Sequence, residues 1–80
     1  MKIEVLGPGC AKCDGLMELV NQVVSSMNIE ADIEHVTDMN KILEYGVMMT
    51  PALLINGFKK CVGRVPSPGE IKTWILEAQA

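Results

Sequence analysis

The first 36 residues contain a short apolar segment, a long segment with helical periodicity and a second short segment, and this order constrains the fold most. Residues 2–6 alternate well enough for a strand, and their largely apolar character is typical of a central one. From Cys10 or Ala11 to about Met27, apolar residues recur at steps of three and four, as in an amphipathic helix. Residues 29–36 alternate between apolar and polar side chains, which predicts a strand with one solvated face. The pattern therefore predicts a βαβ unit.

A short helix and a β-hairpin are predicted next. Thr37 or Asp38 supplies an N-cap side chain, and Gly46 ends this helix because glycine tolerates the positive φ of a C-terminal cap. Residues 52–62 contain two apolar segments separated by Asn-Gly at 56–57. Asn-Gly is the strongest two-residue turn signal, since both residues adopt positive φ. This segment is therefore expected to form two antiparallel strands.

The last helix has a clear start signal. Ser67 can act as its N-cap, Pro68 suits the first helical position, and Glu70 completes a capping box. Together the patterns predict an α/β chain of order βαβ-α-ββα, in which a four-stranded mixed sheet is flanked by three helices. Residues 1–80 are expected to form a single domain, since no linker, repeat or low-complexity segment divides them.

Composition and charge exclude several classes of function. The net charge is −3 with seven Lys and Arg residues, whereas nucleic-acid binding needs a clustered basic face. No apolar segment approaches the ~18 residues of a membrane span, and the N-terminus has no signal-peptide core. Three cysteines, an odd number, do not suit a secreted disulfide framework. We therefore expect a cytoplasmic, monomeric protein without a membrane or nucleic-acid partner.

Two cysteines, Cys10 and Cys13, lie between the first predicted strand and the first helix. A disulfide between them closes a loop of about four residues and would stabilise the fold by only about 2 kcal/mol, which disfavours a structural staple. If Cys10 caps the helix, unpaired backbone N–H groups and the charge of Lys12 favour its thiolate, whereas Asp14 opposes it. Cys10 would then attack a disulfide of a partner, and the more buried Cys13 would resolve the mixed disulfide.

The alternative is a soft-metal carrier that binds copper or zinc through the same two thiolates. Cys-x-x-Cys after a first strand resembles the motif of small copper-chaperone domains, but those are βαββαβ and carry Met where this chain has Pro8. A structural zinc site needs two more ligands, and Cys61 and His35 are the only soft candidates for them. These two are not spaced as a ligand pair, so a zinc cluster is not predicted. Exchange and metal transport both stay open at this point.

Two motifs taken together resemble a known superfamily. Cys10-Ala11-Lys12-Cys13 follows the first strand, and Thr50-Pro51 opens the third strand some forty residues later. In a βαβαββα order, this combination resembles the thioredoxin/glutaredoxin superfamily. Within it, the chain is similar to the small glutaredoxin-sized thioredoxins, or redox-active disulfide proteins, of archaea and bacteria. The resemblance covers essentially the whole chain.

The resemblance implies a thioredoxin-like fold and a thiol–disulfide oxidoreductase, an electron carrier that exchanges its Cys10–Cys13 dithiol with protein disulfides. It also implies that Thr50 and Pro51 bind substrate. The proline would be cis beside the disulfide, and the backbone of Thr50 would pair with an extended segment of the partner. A cis peptide is cheap only before proline, which supports this assignment. No cofactor is implied, and the expected partners are protein disulfides and a thioredoxin-reductase-like reductant.

The chain departs from both branches of the superfamily at several positions. Thioredoxins carry Trp before the first cysteine and Gly-Pro between the pair, where this chain has Gly9 and Ala11-Lys12. They also bury an acid in the strand before the site. Glu4 is the nearest acid here, and the sequence leaves open whether it is buried or at the surface. Residues 63–67 do not reproduce the glutathione-binding Gly-Gly and acidic stretch of glutaredoxins, so a protein dithiol partner is expected instead of glutathione.

Several other residues invite a functional role but have simpler interpretations. Gly7 and Gly9 are expected to let the backbone turn sharply before the cysteine pair and to keep the Cys10 sulfur uncovered. Cys61 is expected to be a buried packing residue, since unpaired cysteine is among the most buried residue types. His35 is expected to be a partly exposed surface residue at the end of a strand. Met48-Met49 is either a soft contact patch for partners or apolar cover for its loop.

Overall fold

The computed structural model describes residues 1–9 and 11–79, and its elements follow the predicted βαβ-α-ββα order. The strands are β1 (Lys2–Leu6), β2 (Asp32–Val36), β3 (Ala52–Ile55) and β4 (Phe58–Val62). The helices are α1 (Ala11–Met27), α2 (Met39–Glu44) and α3 (Pro68–Gln79). Cys10, the alternative start of the first helix, lies outside the described residues. The predicted sheet flanked by three helices is confirmed.

The four strands form one mixed sheet in the order β2-β1-β3-β4. β1 runs parallel to β2 and antiparallel to β3, and β3 pairs antiparallel with β4 through the hairpin. β1 is therefore a central strand, as its apolar sequence predicts. The parallel β1–β2 pair is connected by α1, which is the crossover connection that a parallel pair requires.

The start of β2 differs from the prediction. The alternating pattern begins at Ile29, whereas the strand begins at Asp32. Its first partner on β1 is Lys2, and the Asp32 N–H donates to the Met1 carbonyl at 2.9 Å. Residues 29–31 therefore have no opposite residues on β1 with which to form a ladder. Within β2 the predicted alternation is confirmed, since Asp32 and Glu34 are exposed.

The predicted caps and the turn are confirmed. The Asp38 carboxylate caps α2 by accepting from the Asn40 N–H at 2.9 Å. Asn56 and Gly57 have φ values of 52° and 85°, so the two-residue turn of the hairpin has the predicted positive φ at both positions. At the start of α3, the Ser67 hydroxyl accepts from the Glu70 N–H, while the Glu70 carboxylate accepts from the Ser67 N–H. These bonds satisfy N–H groups that a helix start leaves unpaired.

Different helices cover the two faces of the sheet. α1 and α3 cover one face, here called the α1/α3 face, whose buried residues are Ile3, Val5, Leu16, Val20, Val23, Val24, Leu53, Ile55, Cys61, Ile71 and Ile75. α2 covers the opposite face, the α2 face, whose buried residues are Leu6, Val36, Ile42, Val47, Ala52 and Leu54. Alternation along β1 explains the division, because successive side chains of a strand point to opposite faces. In the described part of the chain, no helix combines the length and the apolar character needed to cross a membrane.

Candidate active site

Of the two predicted redox cysteines, Cys13 is described and Cys10 lies outside the described residues. Cys13 is the third residue of α1 and is fully buried. The sequence predicts a buried second cysteine within the first turn of this helix, and the structure places Cys13 there. Lys12 and Asp14, the charged neighbours considered for tuning the site, are both exposed.

Gly7, the residue that follows β1, lies directly against Cys13. A Cβ atom built on Gly7 would overlap the Cys13 sulfur and would lie 3.8 Å from Cβ of Thr50. The position requires glycine because the cysteine comes so close to the backbone, a reason additional to the turn expected from the sequence. The expectation for Gly9 is confirmed, since its φ is +91°.

Thr50 and Pro51 lie near the same point, although some forty residues separate them from Cys13. The Thr50–Pro51 peptide bond is cis. Pro51 is buried and Thr50 is half-buried. The Pro51 carbonyl accepts a hydrogen bond from the Gly63 N–H at 2.8 Å, which ties this loop to the end of β4. The fold thus brings Cys13 and Thr50 together around Gly7, as the sequence motifs predict.

Two methionines form an exposed apolar surface beside Thr50. The side chain of Met48 is 90% exposed and that of Met49 is 63% exposed. Met49 also contacts the loop after β4, since a Cβ built on Gly63 would lie 3.1 Å from the methyl carbon of Met49. Gly63 has a φ of +80°, so this position favours glycine both for its backbone and for the space that Met49 occupies. Met48 covers little of its own loop and is available to other molecules.

Hydrogen bonds from a buried cysteine and an exposed ion pair hold the loop between β4 and α3. The buried Cys61 donates its S–H to the Arg64 carbonyl at 3.2 Å, which confirms the packing role expected for this cysteine. The Arg64 guanidinium forms two bonds with the Glu70 carboxylate, at 3.2 and 2.8 Å. These bonds, together with that from the Ser67 N–H, lower the pKa of Glu70 to about 2.

Glu4 is buried on the α2 face, which answers the question that the sequence leaves open. Glu4 is 5% exposed, and its carboxylate accepts a hydrogen bond from the Tyr45 hydroxyl at 2.5 Å. That bond, together with partial burial, raises the pKa of Tyr45. No local pattern in the sequence indicates Tyr45 as the partner of Glu4. The central position of β1 was the available signal for Glu4, since a strand covered on both faces buries the side chains in its interior, here residues 3–6.

His35 is a polar residue of β2 that the sequence predicts to be a partly exposed surface residue. It is half-buried, and its Nε2 lies 3.2 Å from the Gly7 carbonyl oxygen. The backbone N–H of Gly7 donates to the Val36 carbonyl at 2.9 Å, so β2 contacts Gly7 through two consecutive residues. No sequence signal identifies this contact, because it depends on where β2 ends beside β1.

The described side chains do not form a metal site. Within residues 1–9 and 11–79, no group of three or more His, Cys, Asp or Glu side chains is arranged to hold a metal ion. Cys61 and His35, the additional ligands considered from the sequence, bind the Arg64 carbonyl and the Gly7 carbonyl instead.

The chain is similar in sequence to proteins of known family. A family model described as a thioredoxin domain matches residues 1–76. A protein named thioredoxin from Methanothermobacter thermautotrophicus is 40% identical over 72 residues, which cover 90% of this chain and 94% of the relative. A protein named thioredoxin from Methanocaldococcus jannaschii is 39% identical over 70 residues, with 88% and 80% covered. A probable thioredoxin from M. thermautotrophicus is 35% identical over 75 residues, with 89% and 87% covered.

Proposed function

This chain belongs to the thioredoxin family and is a thioredoxin-like redox protein, and from that premise we propose that Cys10 and Cys13 carry its thiol–disulfide exchange. The observation that most supports the proposal is the position of Cys13. It is buried in the first turn of α1, against Gly7 and beside the loop that contains Thr50 and Pro51. A thiol held there is shielded from bulk solvent, as the resolving step requires.

The proposed reaction has two displacement steps. In the first, the Cys10 thiolate attacks one sulfur of the substrate disulfide, a mixed disulfide forms, and one substrate thiolate leaves and takes up a proton. In the second, the Cys13 thiolate attacks the Cys10 sulfur, the Cys10–Cys13 bond forms, and the second substrate thiolate leaves and is protonated. Two electrons and two protons have then moved from the dithiol to the substrate.

The proposed substrates are protein disulfides in an extended segment of chain. Thr50 is half-buried beside the site, and its backbone is proposed to pair with that segment next to Pro51. The exposed methionines Met48 and Met49 add a polarizable apolar surface for neighbouring substrate side chains. We further propose that the protein works as a monomer in the cytoplasm and needs no bound cofactor. A thioredoxin-reductase-like enzyme would return the electrons.

Cysteine-to-serine variants test the assignment of roles. In an insulin-reduction assay with dithiothreitol, Cys10→Ser and Cys13→Ser should both lose turnover. Only Cys13→Ser should accumulate a mixed disulfide with the substrate, because it retains the nucleophile and lacks the resolving thiol. Cys61→Ser is the matched control and should retain turnover, since a serine hydroxyl can donate to the Arg64 carbonyl as the thiol does.

Other outcomes would contradict the proposal. Turnover in Cys10→Ser, or its loss in Cys61→Ser, would show that the roles are assigned to the wrong thiols. A zinc and copper(I) titration of the reduced protein tests the soft-metal alternative. Stoichiometric, tight metal binding without disulfide reduction would replace exchange by metal transport as the function of the pair.

A further inference from the structure

Gly7 is the point at which three parts of the fold meet next to the proposed site. Its N–H donates to the Val36 carbonyl at 2.9 Å, and its carbonyl oxygen lies 3.2 Å from Nε2 of His35. Its Cα faces the Cys13 sulfur so closely that a Cβ cannot be accommodated. Both polar backbone groups of Gly7 are thus bound by consecutive residues of β2, while its open side accepts the cysteine.

The chemistry of the contact fixes which atom donates. A carbonyl oxygen can only accept, so this contact is a hydrogen bond when His35 carries its hydrogen on Nε2. His35 belongs to β2, an edge strand, and pairs in register with Val5. The imidazole therefore extends from the edge of the sheet over the end of β1, where the chain leaves the sheet toward the cysteine pair.

The bound carbonyl belongs to the peptide between Gly7 and Pro8. Fixing the orientation of that peptide also fixes the direction in which the chain leaves toward Pro8 and Gly9, and both of these residues are exposed. Pro8 has no N–H to donate. Gly9 has a φ of +91°, and a glycine backbone adopts positive and negative φ about equally readily, so neither residue fixes the direction of the chain. The His35 contact is a side-chain restraint placed where the connection from β1 to α1 begins.

We propose that His35 is a positioning residue for the redox site, which holds Gly7 in place against Cys13 by donating from Nε2 to the Gly7 carbonyl. This inference rests on the proposed exchange function. Disulfide formation needs Gly7 and Cys13 to stay in one arrangement, and this contact supplies part of that order in the dithiol already. Without the donor the dithiol gains conformational freedom that disulfide formation must remove, so the dithiol becomes relatively more stable.

Two amide substitutions test whether an N–H at the position of Nε2 is needed or whether any polar side chain at residue 35 is sufficient. The His35→Gln variant places an amide N–H at about the reach of Nε2, whereas His35→Asn places one at the shorter reach of Nδ1. The measured quantity is the equilibrium constant of the reaction in which the protein dithiol and oxidised glutathione give the protein disulfide and two reduced glutathione molecules. His35→Asn should lower this constant by about two- to tenfold, the range expected for one hydrogen bond. A tenfold change equals about 30 mV toward a less reducing potential. His35→Gln should stay within about twofold of the wild type.

Several outcomes would contradict the positioning role of His35. An unchanged constant in His35→Asn, or an equal shift in His35→Gln, would overturn the positioning role. Denaturant unfolding of each variant identifies the conditions under which all three proteins are folded, and the constants are compared there. A long-range ¹H–¹⁵N spectrum of the wild-type imidazole, recorded with the ring neutral, should show the Nε2–H tautomer, and the Nδ1–H tautomer would also overturn the proposal. If the wild type forms no disulfide with glutathione at all, the exchange function fails, and the tautomer still reports on the contact.

Discussion

The two faces of the sheet are built differently. Among the described residues, the α1/α3 face buries an uninterrupted apolar cluster between two long helices and the sheet. The α2 face is smaller, is covered by one helix of six residues, and includes the buried Glu4 paired with the half-buried Tyr45. Apolar burial contributes to stability roughly in proportion to its area, whereas a buried carboxylate is tolerated only with a hydrogen-bond partner. We infer that most of the stability lies on the α1/α3 face.

The largest expected effect separates the two faces directly. Ile75 on α3 and Ile42 on α2 are both essentially fully buried isoleucines on helices. We expect Ile75→Ala to lower the free energy of unfolding by about 3–5 kcal/mol and Ile42→Ala by about 2–3 kcal/mol, because the larger cluster leaves a more rigid cavity. Urea unfolding measures both. Leu76→Ala, at an exposed position of α3, should change stability by no more than about 0.5 kcal/mol. Equal losses at Ile75 and Ile42 would break the comparison.

The next effect concerns the side of β1 that meets α1 at the proposed site. Gly7→Ala should lower the free energy of unfolding by about 1–3 kcal/mol, because its Cβ overlaps the Cys13 sulfur. Gly15→Ala within α1 is the matched control: its Cβ meets no atom within 4 Å, and alanine favours a helix by about 0.5–1 kcal/mol. Thermal or urea unfolding should therefore give opposite signs for the two substitutions. A stabilised Gly7→Ala variant would contradict the close approach of Cys13.

The polar pair sharpens the description of the α2 face. Tyr45→Phe removes the donor to the buried Glu4 carboxylate and should cost about 1–3 kcal/mol of unfolding free energy. Glu4→Gln should cost less, since the amide oxygen still accepts from Tyr45. The double variant Glu4→Leu/Tyr45→Phe should be more stable than Tyr45→Phe alone, because it leaves no unpaired buried charge. Additive losses in the cycle of Glu4→Leu, Tyr45→Phe and the double variant would show that the two side chains do not act as a pair.

The smallest effect lies at the surface of the α1/α3 face. The Arg64 and Ser67 bonds lower the pKa of Glu70 from 4.5 to about 2. A carboxylate with a lowered folded-state pKa stabilises the fold above its unfolded value and loses that contribution as the pH falls toward the folded one. The stability difference between the wild type and Glu70→Gln should therefore shrink as the pH falls from 4.5 to about 2. It should be small throughout, because both side chains are exposed.

A second variant tests the cause of this pH dependence. Arg64→Gln removes the two bonds that lower the pKa of Glu70 most. The stability difference between the wild type and Arg64→Gln should therefore shrink over the same pH range as that for Glu70→Gln. Urea unfolding at several pH values between 2 and 5 provides the comparison, roughly the range in which carboxylates titrate. A difference that stays constant across this range would show that Glu70 is not responsible.

Prediction from the sequence was reliable where the signal is local. The Asn56-Gly57 turn depends on the φ preferences of two adjacent residues, and the capping box depends on Ser67 and Glu70, three positions apart. The start of β2 was misplaced because a strand begins where its partner begins, and Lys2 on β1 sets that limit. The contact between Gly7 and Cys13 was not predicted, since nothing in the segment 7–9 indicates that a sulfur approaches the Gly7 Cα.

The sequence alone determined the order of the elements, the caps and turns, and the two motifs that meet at the proposed site. Each of these depends on the periodicity and the conformational preferences of neighbouring residues, which a single chain displays directly. Only the tertiary structure decided that Glu4 is buried against Tyr45 and that His35 binds the Gly7 carbonyl. Such contacts join residues 41 and 28 positions apart, and strand order and register, which no local preference encodes, determine which of them meet.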